Sequence, residues 1–590
     1  MNIVRSSPLL VLTLGALIGT GCHTPRTTER MREDTMIDIQ QGRFADADDE
    51  VNSIYGSNDK GEPPGPGEKP APSAVINDKQ ALIWHMERGM ISHLQGDLAN
   101  SDVHLDAAAA LADERRTKTL TTEGATLVAN DTLRDYAGEG YEHIQVDYYR
   151  ALNRTLEGQK REGLYDPHLT FASFVATGPG HTAPPATITI PELSPEVAYE
   201  QAINFTRRMT LNQLKETQDA AGSHRYTDDP FARFIAGALT YCQPPKERTE
   251  SNRQYADVMF KTAATAYDKE AKLLTNGKQP FRYEIHRRPA MVDTLLIRHC
   301  RAYDKEYFDA HLADWGLSEN DPRLKQAELP RGSGTLLVLN HVGYVTHPEV
   351  LDIRVIAASA IPVPLPTPSS DESGRGVTVT PFFIGAVGFY AKGPGSDVVN
   401  HWGVVPLPGD IVQKLLAPGG AAFMGFALPV HAPDKPIAAP GVVHLHADAG
   451  GAADIACNLE VVSDLDAYAR ATLKDEQPGL LVKTITRAVV KQAAGGVISH
   501  EVEKKNQLLG LAVNLLTSTA ATLSEVADTR AWTTLPDHIE ATLIDLPAGS
   551  YSLAIDSQYG ALNLGKVTVP EGRLIVVPVR TFTQPIINKY

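Results

Sequence analysis

Apolar residues at helical spacing recur in helix-length segments between 36 and 328, and short β-branched or aromatic segments bounded by glycine and proline follow Leu329-Pro330-Arg331-Gly332-Ser333-Gly334, alternating most cleanly in the last sixty residues. The two periods, 3.6 and 2, demand different partners for the buried face, so one chain must join a helical part to a sheet part. The fold class this implies is α+β: an N-terminal array of helical hairpins over 36–328, then a β-sandwich-like domain over 329–590. With 42% hydrophobic and 21% charged residues, the chain has the composition of a protein that buries a core.

The helical part contains a recurring unit. Gln41-Gly42-Arg43-Phe44-Ala45 and Gln95-Gly96-Asp97-Leu98-Ala99 each follow a helix-length segment. Glycine takes the left-handed conformation that ends one helix, and the small residues after it let a second helix pack close. Aligned on the tetratricopeptide pattern, Gly89 stands at the small position of the first helix, Gly96 at the turn, and Leu105 and Ala108 on the packing face of the second. A third unit runs from Tyr141 to Gly158. A fourth starts at Asp229-Pro230-Phe231, where Asp229 can cap and Pro230 can occupy the first turn, and its second helix spans Ser251 to Lys272. Ser57 to Ser73 is rich enough in proline and glycine to form a loop.

Beyond the boundary, strands are expected at Thr335–Asn340, Gly376–Ile384, Ala422–His431, Val442–Ala447 and Ile455–Val462. A helical insertion follows at about 465–527. Its segment Leu508–Leu523 is apolar nearly all round, which marks a buried helix or one that dips into a membrane. The last sixty residues alternate most cleanly, around Leu546-Pro547-Ala548-Gly549 and Pro570-Glu571-Gly572, and predict a meander that completes the sandwich.

Residues 1–21 read as a secretory signal: Arg5 supplies the basic region, Pro8 to Ile18 the apolar one, and Gly19-Thr20-Gly21 places small residues before Cys22. The layout resembles a bacterial lipobox, with Cys22 the lipidated first residue of the mature chain and 22–35 a polar tether. An ordinary signal cut nearby is the alternative. An acyl anchor of palmitate type holds a protein at a bilayer without spanning it. His23 after the cysteine favours the outer membrane, on its periplasmic side. Net charge is −16, which argues against nucleic acid as a partner.

Few residues suggest chemistry. The chain contains no G-x-S-x-G, H-E-x-x-H, phosphate-binding loop or dinucleotide fingerprint. His444, His446 and Asp448 alternate along a strand and could offer two nitrogens and a carboxylate to a metal, as in a metal-dependent hydrolase, or simply form the polar face of that strand. The second reading is preferred, so no metal, cofactor or enzymatic activity is expected. Asp528 and Arg530, followed by Trp532 and Leu535-Pro536, would fasten the helical insertion to the sheet through an ion pair and a buried aromatic.

Several of these segments occur together and in this order: the lipobox, the Q-G-x-[FL]-A hairpins, Asp229 to Phe234, Gly334 to Asn340, Ala427-Leu428-Pro429-Val430, Thr486-Arg487-Ala488 and Ala527 to Pro536. In this the chain resembles an uncharacterised family of bacterial outer-membrane lipoproteins with tetratricopeptide-like N-terminal helices. The resemblance covers most of the mature chain, and Asp-Thr-Arg-x-Trp-x-x-Leu-Pro is its most specific part. The family is typically encoded beside lipoproteins that look like penicillin-binding-protein activators and like the curli secretion component. The resemblance therefore implies envelope protein partners and a non-enzymatic scaffold or accessory role in an outer-membrane assembly. Binding of peptidoglycan or another polysaccharide is the alternative. This chain departs from the pattern in a proline-rich insertion near Pro66 and a long loop around Pro362 to Gly376.

Overall fold

A computed structural model describes residues 28–55, 78–122, 134–167, 193–218, 229–275, 288–358, 386–392, 422–431, 439–447, 454–484 apart from 478 and 482, 527–557 and 560–582. The signal, Cys22, Asp448, the Ser57–Ser73 loop, the Gly376–Ile384 strand, Thr486 to Ala488 and the Leu508–Leu523 segment lie outside the described residues.

The fold is α+β, with helices first and sheets after. Helices α1 (Thr28–Gln40) and α2 (Phe44–Tyr55) form the first hairpin, α3 (Ala81–Gln95) and α4 (Leu98–Thr122) the second. Gly42 and Gly96 turn the chain at φ 70° and 80°, in the left-handed region that favours glycine. The tether expected over 22–35 needs correction: helix is present from Thr28, with Arg32 and Thr35 buried, because Met36 and Ile39 on the same helix enter the core. At the second hairpin a Cβ on Gly89 would lie 2.7 Å from Leu105 Cδ2, so glycine sets how closely α3 and α4 cross.

Helices α5 (Gly140–Arg161), α6 (Pro195–Gln218), α7 (Pro230–Leu239), α8 (Glu250–Thr275), α9 (Ala290–Ala310) and α10 (Pro322–Gln326) follow. Asp229 caps α7 by accepting from Phe231 N at 2.9 Å, with Pro230 in the first turn as the sequence predicts. Gly158 meets the Tyr199 ring and Gly237 the Phe260 ring, again at helix crossings.

Eleven described strands follow: β1 (Ser333–Val342), β2 (Pro348–Ala358), β3 (Ala386–Lys392), β4 (Ala422–His431), β5 (Val442–Ala447), β6 (Ile455–Asn458), β7 (Glu460–Ser463), β8 (His538–Pro547), β9 (Gly549–Ser557), β10 (Gly560–Val569) and β11 (Leu574–Thr581). They form three sheets of order β11-β1-β8-β7, β10-β9-β5-β6 and β3-β2-β4. The expected C-terminal meander is corrected: β8 and β11 join the first sheet on either side of β1, and β9 and β10 join the second. The chain changes sheets at Pro547 and near Pro570, whose missing N–H groups cannot continue a ladder. Strands β2 and β3 lie outside those expected from sequence. Helix α11 over 465–477 opens the expected insertion, most of whose remainder lies outside the described residues.

The change of secondary structure at 329–333 is not a break in packing. One hydrophobic core runs from Ile39 through Tyr148 and Phe231 to Leu337 and Val577. Every residue of β1 is buried, as a central strand covered on both faces should be. From α5, Tyr148 OH meets His341 Nε2 at 2.8 Å; from α9, Arg298 pairs with Asp545 of β8 at 2.7 Å. The two four-stranded sheets meet where Glu540 of β8 accepts from Asn340 Nδ2 at 2.9 Å and from Gly441 N at 3.2 Å.

Candidate functional site

The segment 527–536 is irregular in backbone yet buried over Ala531–Pro536, a combination that obliges other groups to satisfy its polar atoms. Two helices supply carboxylates for the purpose. Glu87 of α3 accepts from Thr533 N and Oγ1, each at 2.7 Å, and from Thr534 N and Oγ1 at 3.3 and 2.5 Å. Glu142 of α5 accepts from Trp532 N at 2.7 Å, Tyr136 OH at 2.7 Å and Glu139 N at 2.8 Å. Burial pushes both carboxyls above their ordinary range, and these donors oppose the shift. From β11, the buried guanidinium of Arg580 donates to the Thr534 carbonyl at 3.1 Å and to that of Gly343.

The expected pairing within the motif is present. Arg530 grips Asp528 in a fork, Nε to Oδ1 at 2.9 Å and an Nη to Oδ2 at 2.6 Å. Trp532 is fully buried, with Nε1 donating to Thr534 Oγ1 at 3.0 Å, and Pro536 is buried beside it. The loop is held by the helical part as well as by Arg580 of β11. Arg530 reaches the carbonyl of Arg134 at 3.0 Å, and Trp532 packs 6.2 Å from the Tyr149 ring, so the loop is fastened to the N-terminal helices. Sequence reading missed Glu87 and Glu142. The one available signal was an acidic residue at a core position of each helix, Glu87 next to Met86 and Glu142 beside Tyr141.

Beside this loop lies a cavity of about 240 Å³, between the start of α5, α11 and β4. Tyr136, Glu139, His431, Glu476, Lys483 and Arg530 are among its lining residues. Burial, reinforced by the neighbouring Glu476 and Glu142 carboxylates, holds the Glu139 carboxyl well above the usual range. A concave site carrying groups of both signs and a perturbed carboxyl is the type of place where small ligands bind.

The histidine strand is arranged differently. His444 Nε2 faces Asp556 at 3.1 Å, and His446 Nδ1 faces Asp454 at 2.5 Å, so each ring has its own carboxylate. Among the described residues no three His, Cys, Asp or Glu side chains are grouped to hold a metal. None of the helices described there is long and apolar enough to cross a membrane.

In comparisons with known proteins, no family model matches the chain, and no curated protein or solved structure matches it.

Proposed function

We propose that this chain is a lipid-anchored cell-envelope protein, attached at Cys22 to the periplasmic side of the outer membrane, and that it acts as a non-enzymatic scaffold or accessory factor in an envelope assembly. The observation that carries the reading is how its buried acids are used. Glu87 and Glu142 are consumed by loop N–H and hydroxyl groups, while the helical array leaves Val197, Leu211 and Val258 at 44%, 57% and 51% exposure on α6 and α8. Arrays of helical hairpins commonly use such surfaces to hold other proteins. The lipobox-like leader and the motif order that resembles outer-membrane lipoproteins support the location.

Crosslinking in the native host with a tagged chain, followed by mass spectrometry, tests this reading. Recovery of neighbouring envelope proteins from wild type, with loss in Cys22→Ala, is the expected result. Recovery of the chain alone contradicts it.

The cavity at Tyr136, Glu139 and Arg530 favours a second reading, binding of peptidoglycan or another envelope polysaccharide. That reading predicts co-sedimentation of the full chain with purified sacculi, weakened by Tyr136→Ala.

A further inference from the structure

On the second helical hairpin, His85 of α3 and His104 of α4 turn their rings toward each other, with the two Nδ1 atoms 3.1 Å apart. The helix crossing fixes this approach. Gly89, one turn after His85, sits against Leu105, and the next atom its Cβ would meet is His104 Cβ at 3.6 Å. Ser101 Oγ ties the same crossing by donating to the Gly89 carbonyl at 2.7 Å. Backbone packing sets the crossing, and without metal the two rings share one N–H···N hydrogen bond across it, whose direction depends on the tautomer.

That separation matches a chelate. Zinc binds imidazole nitrogen at about 2.0–2.1 Å, and a tetrahedral angle then places two ligand nitrogens about 3.3 Å apart. Neutral imidazole is the form that ligates. The nearby cations are already engaged: Arg88 pairs with Asp48 through bonds of 2.6 and 2.5 Å, and Arg115 donates to the Tyr136 carbonyl at 2.7 Å.

We propose that His85 and His104 form a two-histidine site for an imidazole-preferring divalent transition-metal ion, of the zinc and copper class, that bridges α3 to α4 through both Nδ1 atoms. Among the described residues no His, Cys, Asp or Glu stands with them as a third ligand, so water completes the coordination. Bound metal ties together the hairpin whose Glu87 holds the 527–536 loop.

Zinc titration of the full, chelator-stripped chain by calorimetry tests the proposal, alongside His85→Gln, His104→Gln and the double variant, each checked for its fold by circular dichroism and thermal melting. Wild type is expected to bind one equivalent that the single variants lose at least tenfold and the double variant abolishes. Trp84 supplies an independent readout, since its ring centroid lies 4.8 Å from His85 and 5.2 Å from His104. Bound Cu²⁺ should quench the wild-type emission, and Trp84→Phe should remove that component. Absence of saturable zinc binding in wild type, or binding unchanged in the folded double variant, overturns the proposal.

Discussion

The side-chain amide of Gln159 completes the backbone hydrogen bonding of Val576: Nε2 donates to the Val576 carbonyl and Oε1 accepts from its N–H, each at 2.8 Å. Among the described residues, Val576 lies on β11 at the edge of the first sheet, where β11 pairs with β1. One amide on α5 thus does for this residue what a further strand would do, and blunts an edge that could otherwise template pairing with another chain. Helix and sheet are joined by backbone recognition as well as by apolar packing.

Replacing Gln159 by Leu leaves a buried N–H and a buried carbonyl unpaired. The expected loss is about 2–4 kcal/mol, read from the urea midpoint with an unchanged slope. Gln159→Glu keeps the acceptor for the Val576 N–H but sets a carboxylate oxygen against its carbonyl, so it should not rescue the fold.

Glu87→Gln tests the loop clasp. The amide turns an NH₂ group toward either the Thr533 or the Thr534 N–H, so at least one donor meets a donor. The expected cost is about 2–4 kcal/mol, with faster hydrogen exchange at Trp532, Thr533 and Thr534. Trp532→Ala should cost about 3–5 kcal/mol through the cavity it opens.

Gly334→Ala should also destabilise the fold. A Cβ there would lie 2.1 Å from the Pro570 carbonyl oxygen, which is backbone and cannot swing aside. Overpacking of this type typically costs about 1–3 kcal/mol, and the upper end applies where backbone must move. Expression level and thermal midpoint check it.

His93 and His341 should each contribute a loss of stability as the solution is acidified below pH 6.5. Burial holds His93 down to about 4, aided by Arg580 and opposed by the bond that its Nδ1–H donates to Asn153 Oδ1, and burial with Arg580 holds His341 down to about 3. The unfolded chain takes up these protons near 6.5 while the folded chain resists, so each ring removes about 1.4 kcal/mol per pH unit below that value, until its folded pKa is reached. Asp102 acts in the opposite sense. Burial raises it from 3.8 to about 7 against the pull of Arg154, so between these values the folded state holds the extra proton and gains stability as pH falls. Asp102→Asn should therefore steepen the loss between pH 7 and 4. His93→Gln should make it shallower. Denaturation midpoints across that range check both signs.

What the sequence made legible follows from periodicity and special backbone positions. Gly42, Gly96 and the Asp229-Pro230 cap each act locally, and β4 and β5 occupy the residues that their composition between glycine and proline predicts. The sheet assignments of β8 to β11 were not legible, because alternation fixes a strand but not its neighbour. Nor was the attachment of the 527–536 loop. Asp528 and Arg530 pair two residues apart, as a local pattern can suggest, whereas Glu142 reaches Trp532 across 390 positions and Glu87 reaches Thr533 across 446. Strand β2 was not legible, because its partners, β3 and β4, come later in the chain.

The proposed scaffold depends on attachment at Cys22, and the most direct test is the mass of the N-terminal peptide of the protein isolated from its native membrane. The account predicts a peptide that begins at Cys22 and carries a diacylglycerol on sulfur. A mature N-terminus elsewhere, or an unmodified Cys22 thiol, would contradict it.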